Sequence, residues 1–178
     1  MIHEANGDKR YYGKYRGTVL NNIDPMQLGR LLVQVPDVLG LTPSSWASPC
    51  VPLAGPTGPP MGIYMVPPIG AGVWVEFEQG DPEYPLWVGC RWGAPSDIPT
   101  LARAGLPVSP SIVLQTAGQN TIAISDLPGP AGGIIIKSLT GAAILVNDVG
   151  ITISNGKGAT IVMAGPTVTI NQGALVIT

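Results

Sequence analysis

Ala143-Ile-Leu-Val-Asn-Asp-Val-Gly-Ile-Thr-Ile-Ser-Asn-Gly-Lys-Gly-Ala-Thr-Ile-Val-Met163 is the stretch that decides the fold. Its apolar residues do not recur at helical spacing. They alternate in short runs, Ile151-Thr-Ile-Ser being the cleanest, as in strands whose successive side chains point to opposite faces. Between the runs stand Asn147-Asp148, Gly150 and Asn155-Gly-Lys-Gly158, residues that supply the backbone angles and local side-chain bonds of tight turns. Asn155-Gly-Lys-Gly opens no helix, so it reads as a strand turn and not as a phosphate loop.

The same unit recurs outward from this stretch. Short β runs are expected at Ile112–Thr116, Thr121–Ser125, Ile134–Ser138, Ala143–Asn147, Ile151–Asn155, Thr160–Met163, Thr167–Asn171 and Leu175–Thr178. Such a tandem strand–turn array is the signature of a β-solenoid or β-prism. All ten aromatic residues lie before position 93, and only Asp126, Lys137, Asp148 and Lys157 carry charge after position 110. Those four are read as outer-surface groups. A single thin sheet without aromatics leaves its apolar face wet and its edges open. Ordering each residue costs about 1–2 kcal/mol, whereas a fully buried Ile or Val returns about 2–3 kcal/mol, and only alternate positions can be buried. Three identical chains wound together, with Ile and Val inward and Thr, Ser and Asn outward, answer this. Residues 111–178 are therefore expected to form an intertwined homotrimeric, triple-stranded β-helix. A single-chain β-helix is the competing architecture, but it needs longer coils.

The first half differs in kind. Arg16–Ile23, Arg30–Pro36, Val73–Glu78 and Leu86–Cys90 read as strands, and Trp46–Pro52 as an extended piece too Pro-rich for a central strand. In Val73–Glu78, Val73, Val75 and Phe77 share one face, and Trp74, Glu76 and Glu78 the other. Asp24-Pro25 and Gly29 mark a turn, 54–62 a loop and Gly80–Pro85 a hairpin loop. Five short strands joined by Gly/Pro loops suit a small antiparallel barrel of OB type over residues 15–92. Residues 1–14 read as a polar N-terminal arm, and 93–110, with four prolines, as an extended Pro-rich linker.

Composition sets the outer bounds. The 178 residues are 45% hydrophobic and 11% charged, with 24 Gly, 19 Pro and a net charge of −2. Mean hydropathy is +0.30. Disorder pairs high Gly and Pro with low hydrophobicity or high charge, which this chain lacks. No apolar run reaches the ~18 residues of a membrane helix, and the first residues lack the apolar core of a signal peptide. No broad basic field favours nucleic acid. Two Cys, Cys50 and Cys90, make no disulfide framework and are read as buried thiols, a single bridge remaining open.

Candidate chemistry is sparse. Glu76 and Glu78, followed by Asp81 and Glu83, are paired carboxylates of the kind that hydrolyse glycosides, but no pocket motif surrounds them, so they are read as solvated hairpin-end groups. His3 is the one histidine and lies in the arm, a poor place for a metal. Trp46, Trp74, Trp87 and Trp92 suggest a stacking platform for sugars or single strands, weighed against core packing and protein contact. Lys9, Arg10, Lys14 and Arg16, beside Tyr11, Tyr12 and Tyr15, form a small basic cluster read as a protein contact or a solvated approach to the barrel. No catalytic, cofactor-binding or metal-binding residue is assigned, no cofactor is expected, and the chain is not expected to be an enzyme.

Gly17-Thr-Val-Leu-Asn-Asn-Ile-Asp-Pro-Met-Gln-Leu-Gly-Arg30, Val33-Gln-Val-Pro36, Trp46-Ala, Pro68-Ile-Gly-Ala-Gly-Val-Trp-Val-Glu-Phe-Glu-Gln-Gly-Asp81 and Pro85-Leu-Trp-Val-Gly89 resemble the OB-fold of contractile-tail spike proteins. These are the phage baseplate assembly protein V group and its relatives, the VgrG spikes of type VI secretion and the spikes of extracellular injection systems. The order and spacing of the blocks match over about 80 residues. The resemblance implies an OB-fold followed by a trimeric, membrane-piercing β-helix. It also implies docking under a trimeric hub at the OB end and transient contact with the target envelope, with no nucleic-acid partner. The location it implies is a virion tail baseplate or an injection particle assembled in the bacterial cytoplasm. The linker 93–110 stands where some members carry a lysozyme domain, so no muramidase is expected. No His-X-His apex is present, and the chain stops on a strand. A blunt end able to receive a separate tip protein of the PAAR-repeat kind is therefore expected. An OB-fold that binds glycan or nucleic acid on a trimeric β-stalk is the alternative.

Overall fold

The computed structural model describes residues 9–55 and 59–177. It is all-β apart from single helical turns, and it divides into two compact units after Gly93.

In the first unit, alternating valines decide the architecture. β1 (Tyr15–Asn21), β2 (Leu32–Gln34), β6 (Gly72–Phe77), β7 (Pro85–Arg91) and β3 (Ser48–Pro49) form one sheet in the order β2-β1-β6-β7-β3. All its pairings are antiparallel except β3 with β7. Backbone bonds in both directions between Leu31 and Ala47 return the chain from the β3 side to the β2 side, so the strands close on themselves as a small barrel. Val19, Leu31, Val33, Val35, Ala47, Val73, Val75, Phe77 and Trp87 fill it. The expected two faces of β6 are observed: Val73, Val75 and Phe77 are buried, while Trp74 and Glu76 are half-exposed. β3 lies at the sheet edge, where its Pro49 is tolerated.

Two short features depart from the sequence reading. Pro36 ends β2 but also starts a one-turn helix, α1 (Pro36–Leu39), because its fixed φ suits the first helical position. The expected loop 54–62 contains a two-residue pairing of β4 (Ala54–Gly55) with β5 (Met61–Gly62).

The second unit contains the eight expected strands, at β8 (Ile112–Gln115), β9 (Thr121–Ser125), β10 (Gly133–Lys137), β11 (Ala143–Asn147), β12 (Gly150–Ser154), β13 (Thr160–Ala164), β14 (Thr167–Ile170) and β15 (Leu175–Ile177). They pair in sequence order, every pair antiparallel, as one meander. A single-chain β-helix pairs strands of successive coils in parallel, so that competing architecture is overturned. Seven spacings of about 4.8 Å make the sheet about 34 Å tall.

The hairpin loops on one margin share a design. Thr116, Ser138 and Asn155 each donate their N–H to the carbonyl four residues on, at Asn120, Ala142 and Ala159. Each also accepts that residue's N–H on its side chain, at 3.1–3.2 Å. Asn120 Oδ1 accepts the Leu139 N–H of the next loop at 3.2 Å, and Asn171 Oδ1 accepts the Thr160 N–H at 3.0 Å. Side chains of Thr116, Ser138 and Asn155 thus close the turns, and those of Asn120 and Asn171 stack them.

The expected extended course of 93–110 is corrected. Pro95–Asp97 and Thr100–Arg103 are single 3₁₀ turns, and Leu106 bridges Ser109. Proline favours such turns at their first position, and Asp97 holds the first by accepting the Ala94 N–H at 2.9 Å.

Candidate trimerisation face

Pairing in register converts the alternation of each strand into rows across the sheet. Ile112, Ile124, Ile134, Val146, Ile151, Met163, Val168 and Ile177 stand opposite one another from β8 to β15. So do Leu114, Ile122, Ile136, Ile144, Ile153, Ile161, Ile170 and Leu175. Both rows lie on one face, and no polar residue interrupts either. Most of these side chains are exposed, from 38% at Val146 and Ile161 to 65% at Ile112. A continuous bare aliphatic face of this extent is not left to water by a stable lone sheet.

The opposite face differs from the expectation of Thr, Ser and Asn alone. Its middle row, Val113, Ala123, Ile135, Leu145, Thr152, Val162 and Thr169, is largely apolar. It is flanked by Gln115, Thr121, Lys137, Ala143, Ser154 and Thr160. Runs such as Ile134-Ile-Ile136 and Ile144-Leu-Val146 do not alternate, so they place aliphatic groups on both faces.

The barrel's β1–β2 loop is built around one carboxylate. Asp24 accepts N–H bonds from Met26, Leu28 and Arg30 at 2.9–3.3 Å and pairs with the Arg30 guanidinium at 2.6 Å. Its side chain is 2% exposed. Arg30 lies over the Trp46 ring, 5.5 Å from its centroid, and the Trp87 indole N–H donates to the Gly29 carbonyl at 3.0 Å.

Residues 15–92 match the type VI secretion system/phage-baseplate injector OB domain, and residues 111–176 match the phage baseplate V C-terminal trimerisation domain. The two matches together span most of the chain. The chain belongs to the phage baseplate V spike family. No curated protein matches it at a significant level. The baseplate V families are structural, and the trimerisation match falls on the eight-stranded sheet with the bare aliphatic face.

Within this baseplate V barrel, the sequence candidates find ordinary partners. Glu76 pairs with Lys14, and Asp81 with Arg10 at 2.9 Å. Asp81 also accepts the Glu83 N–H, which with Arg10 holds its carboxyl below the usual carboxylate range. Glu78 and Glu83 are exposed. The basic cluster and the acidic hairpin are thus two halves of one ion-paired surface. Exposed pairs of this kind contribute little, so Glu76→Gln should shift the unfolding midpoint by less than about 1 kcal/mol equivalent in urea titration. Where the arm meets the barrel, Tyr11 donates its N–H to the Gly80 carbonyl and packs against Tyr15 and Phe77. His3 lies outside the described residues.

The four tryptophans sit in different environments. Trp87 is buried, Arg30 occupies a face of Trp46, Trp74 is half-buried in β6, and Trp92 is exposed. The expected burial of the thiols is corrected: Cys50 and Cys90 are free and exposed, Cys50 just past β3 and Cys90 near the end of β7, beyond its buried residues Pro85 and Trp87. Partial burial still pushes the Cys90 thiol up. Asp126, Lys137, Asp148 and Lys157 are all exposed. Asp126 accepts from Ser109 Oγ at 2.8 Å and Asp148 from the Gly129 N–H at 2.9 Å. Among the described residues, no three His, Cys, Asp or Glu side chains gather as a metal set.

Sequence reading missed the Asp24–Arg30 pair, although Asp-Pro at 24–25 and Gly-Arg at 29–30 carry its signal. The Arg30 guanidinium, with three backbone N–H groups, holds the Asp24 carboxyl far below the usual carboxylate range, against the opposing effect of burial. A depressed carboxylate stabilises the fold above its unfolded pKa, about 4, and loses that effect as pH falls toward its folded value. All four tryptophans lie in the barrel, so their fluorescence reports this unit. The urea midpoint should hold from neutral pH to about pH 5 and fall below about pH 4. Asp24→Asn should lower the midpoint at neutral pH and flatten the acid limb; an unchanged acid limb contradicts the role of Asp24.

Proposed function

We propose that the protein is the central spike of a contractile tail or injection-system baseplate. Three copies wind residues 111–178 into a triple-stranded β-helix whose axis is filled by the two aliphatic rows. Residues 15–92 form the OB domain, which docks under a trimeric hub. The N-terminal arm 1–14 borders it, and 93–110 connects it to the spike. The far end meets a tip protein of the PAAR-repeat kind and passes through the target envelope on contraction. The role is mechanical: each strand, bonded to its neighbours and backed by two other chains, resists buckling. No residue is assigned to catalysis or to a cofactor.

The observation that carries this reading is the pair of unbroken aliphatic rows, all but the terminal Ile177 lying within the trimerisation match. Electron microscopy of particles carrying an epitope label on this chain tests it. Label at the distal end of the tail tube is the expected result. Label along the sheath, or particles assembled without the chain, contradicts it.

A further inference from the structure

The register of the eight-stranded sheet sorts its charges. Lys137 ends β10 opposite Thr121 and Ala143, at the margin that carries the 116–120, 138–142 and 155–159 loops, and Lys157 lies in the last of these. Asp126 follows the opposite end of β9, where Ser125 faces Gly133, and Asp148 lies between Asn147 and Gly150 in the β11–β12 loop. These four are the only charged residues after position 110. Both lysines therefore occupy one margin of the sheet, and both aspartates occupy the other. Strands of five residues, such as β10 and β11, hold the margins about 14 Å apart at about 3.4 Å per residue. That is too far for an ion pair within one copy.

All four side chains are exposed, and among the described residues none of them has an ion-pair partner. The aspartates are oriented without being neutralised, Asp126 by the Ser109 hydroxyl and Asp148 by the Gly129 N–H. The heights of the four along the stack of strands also correspond. Asp126 leaves β9, and Lys137 ends β10, the next strand. Asp148 lies in the β11–β12 loop, and Lys157 in the β12–β13 loop, the next turn. In both pairs the lysine stands further along the stack, by no more than one strand spacing of about 4.8 Å. A lysine side chain spans that offset.

Charge complementarity selects a second copy as the occupant. Copies related by rotation about an axis along the stack, each with its aliphatic face inward, set the lysine margin of one against the aspartate margin of the next. A copy turned end for end would instead set like charges together, which is repulsive. The margins border the two aliphatic rows, so the contact is continuous with the face that falls in the trimerisation match. We infer that Lys137 pairs with Asp126, and Lys157 with Asp148, across each seam between neighbouring copies. Exposed pairs add little affinity. Their role here is to fix the parallel direction and the register of the copies, which aliphatic rows of near-identical residues leave free to slide. The inference rests on the trimeric reading.

A carbodiimide, which joins a carboxylate to an amine with no spacer, tests it on the full unaltered chain. Covalent dimers and trimers should appear on a denaturing gel, and peptide mapping should find Lys157 joined to Asp148 and Lys137 joined to Asp126. A native trimer with neither link, or with Lys157 joined to Asp126 instead, overturns the seam and leaves the trimer standing. A native monomer overturns the trimeric reading itself. The double variant Lys137→Glu/Lys157→Glu gives a second measurement, because it makes both margins acidic. At low salt its trimer should melt below the parent's, and the difference should close toward 1 M salt, where the screening length is about 3 Å. A difference that does not change with salt, or no difference at low salt, contradicts the pairing.

Discussion

Ile144→Asp should abolish assembly of the second unit. Ile144 stands in the middle of one aliphatic row, between Ile136 and Ile153. In a trimer wound on that face, three-fold symmetry brings three copies of the new carboxylate to one level of an apolar axis. An unpaired charge there costs several kcal/mol per copy, and the like charges repel. Even Ile144→Ala, which only removes methyl groups, should cost about 2–5 kcal/mol per chain. The control is Thr152→Asp, on the next strand but on the opposite face. It should assemble as the parent does. Native mass measurement separates the outcomes. Dissociation by Thr152→Asp with retention by Ile144→Asp means that the other face lines the axis.

The second large effect comes from backbone and not from a side chain. Gly150 begins β12, opposite Asn147, with φ +148°; a Cβ built on it falls 2.0 Å from the Met163 carbonyl oxygen. Gly133 begins β10, and its Cβ would lie 2.0 Å from the Val146 oxygen. A carbonyl in a strand cannot swing aside as a long side chain can, so Gly150→Ala must break the local pairing of β12 with β13. We expect a loss of about 4 kcal/mol or more per chain, the range reserved for overpacked or strained backbone. Gly158→Ala separates collision from backbone preference. Gly158 has φ +102° but nothing within 4 Å of the added carbon, so only the ~1–2 kcal/mol of a left-handed residue is at stake. Thermal unfolding followed by far-ultraviolet circular dichroism reads both variants. Equal effects contradict the steric account.

The strands of the second unit were legible because alternation and turn chemistry repeat there with little competition. Ile151-Thr-Ile-Ser can sit only one way on a half-buried sheet, and Asn155-Gly-Lys-Gly can only turn. The pairing was less legible. A meander and a coil both alternate, and only the all-antiparallel register decides between them. Both faces of β10 and β11 carry aliphatics, which a two-face reading of Thr and Ser could not anticipate from neighbouring strands. In the barrel, the valines of β6 gave its core face directly. The Leu31–Ala47 closure is long-range and leaves no local pattern. Asp24 was read as part of a turn, and its role depends on Arg30 folding back over it. Burial is expected of Cys50 and Cys90 because thiols are usually inside, yet Cys50 follows β3 and Cys90 lies near the end of β7, and both are exposed. The candidate face itself was visible as excess Ile and Val; that two unbroken rows result from it required the register.

The mass of the intact chain in native buffer tests the central claim most directly. The account predicts an assembly of three copies of the 18.4 kDa chain, and loss of that assembly in Ile144→Asp. A folded, stable monomer that retains its β-sheet signal would contradict it.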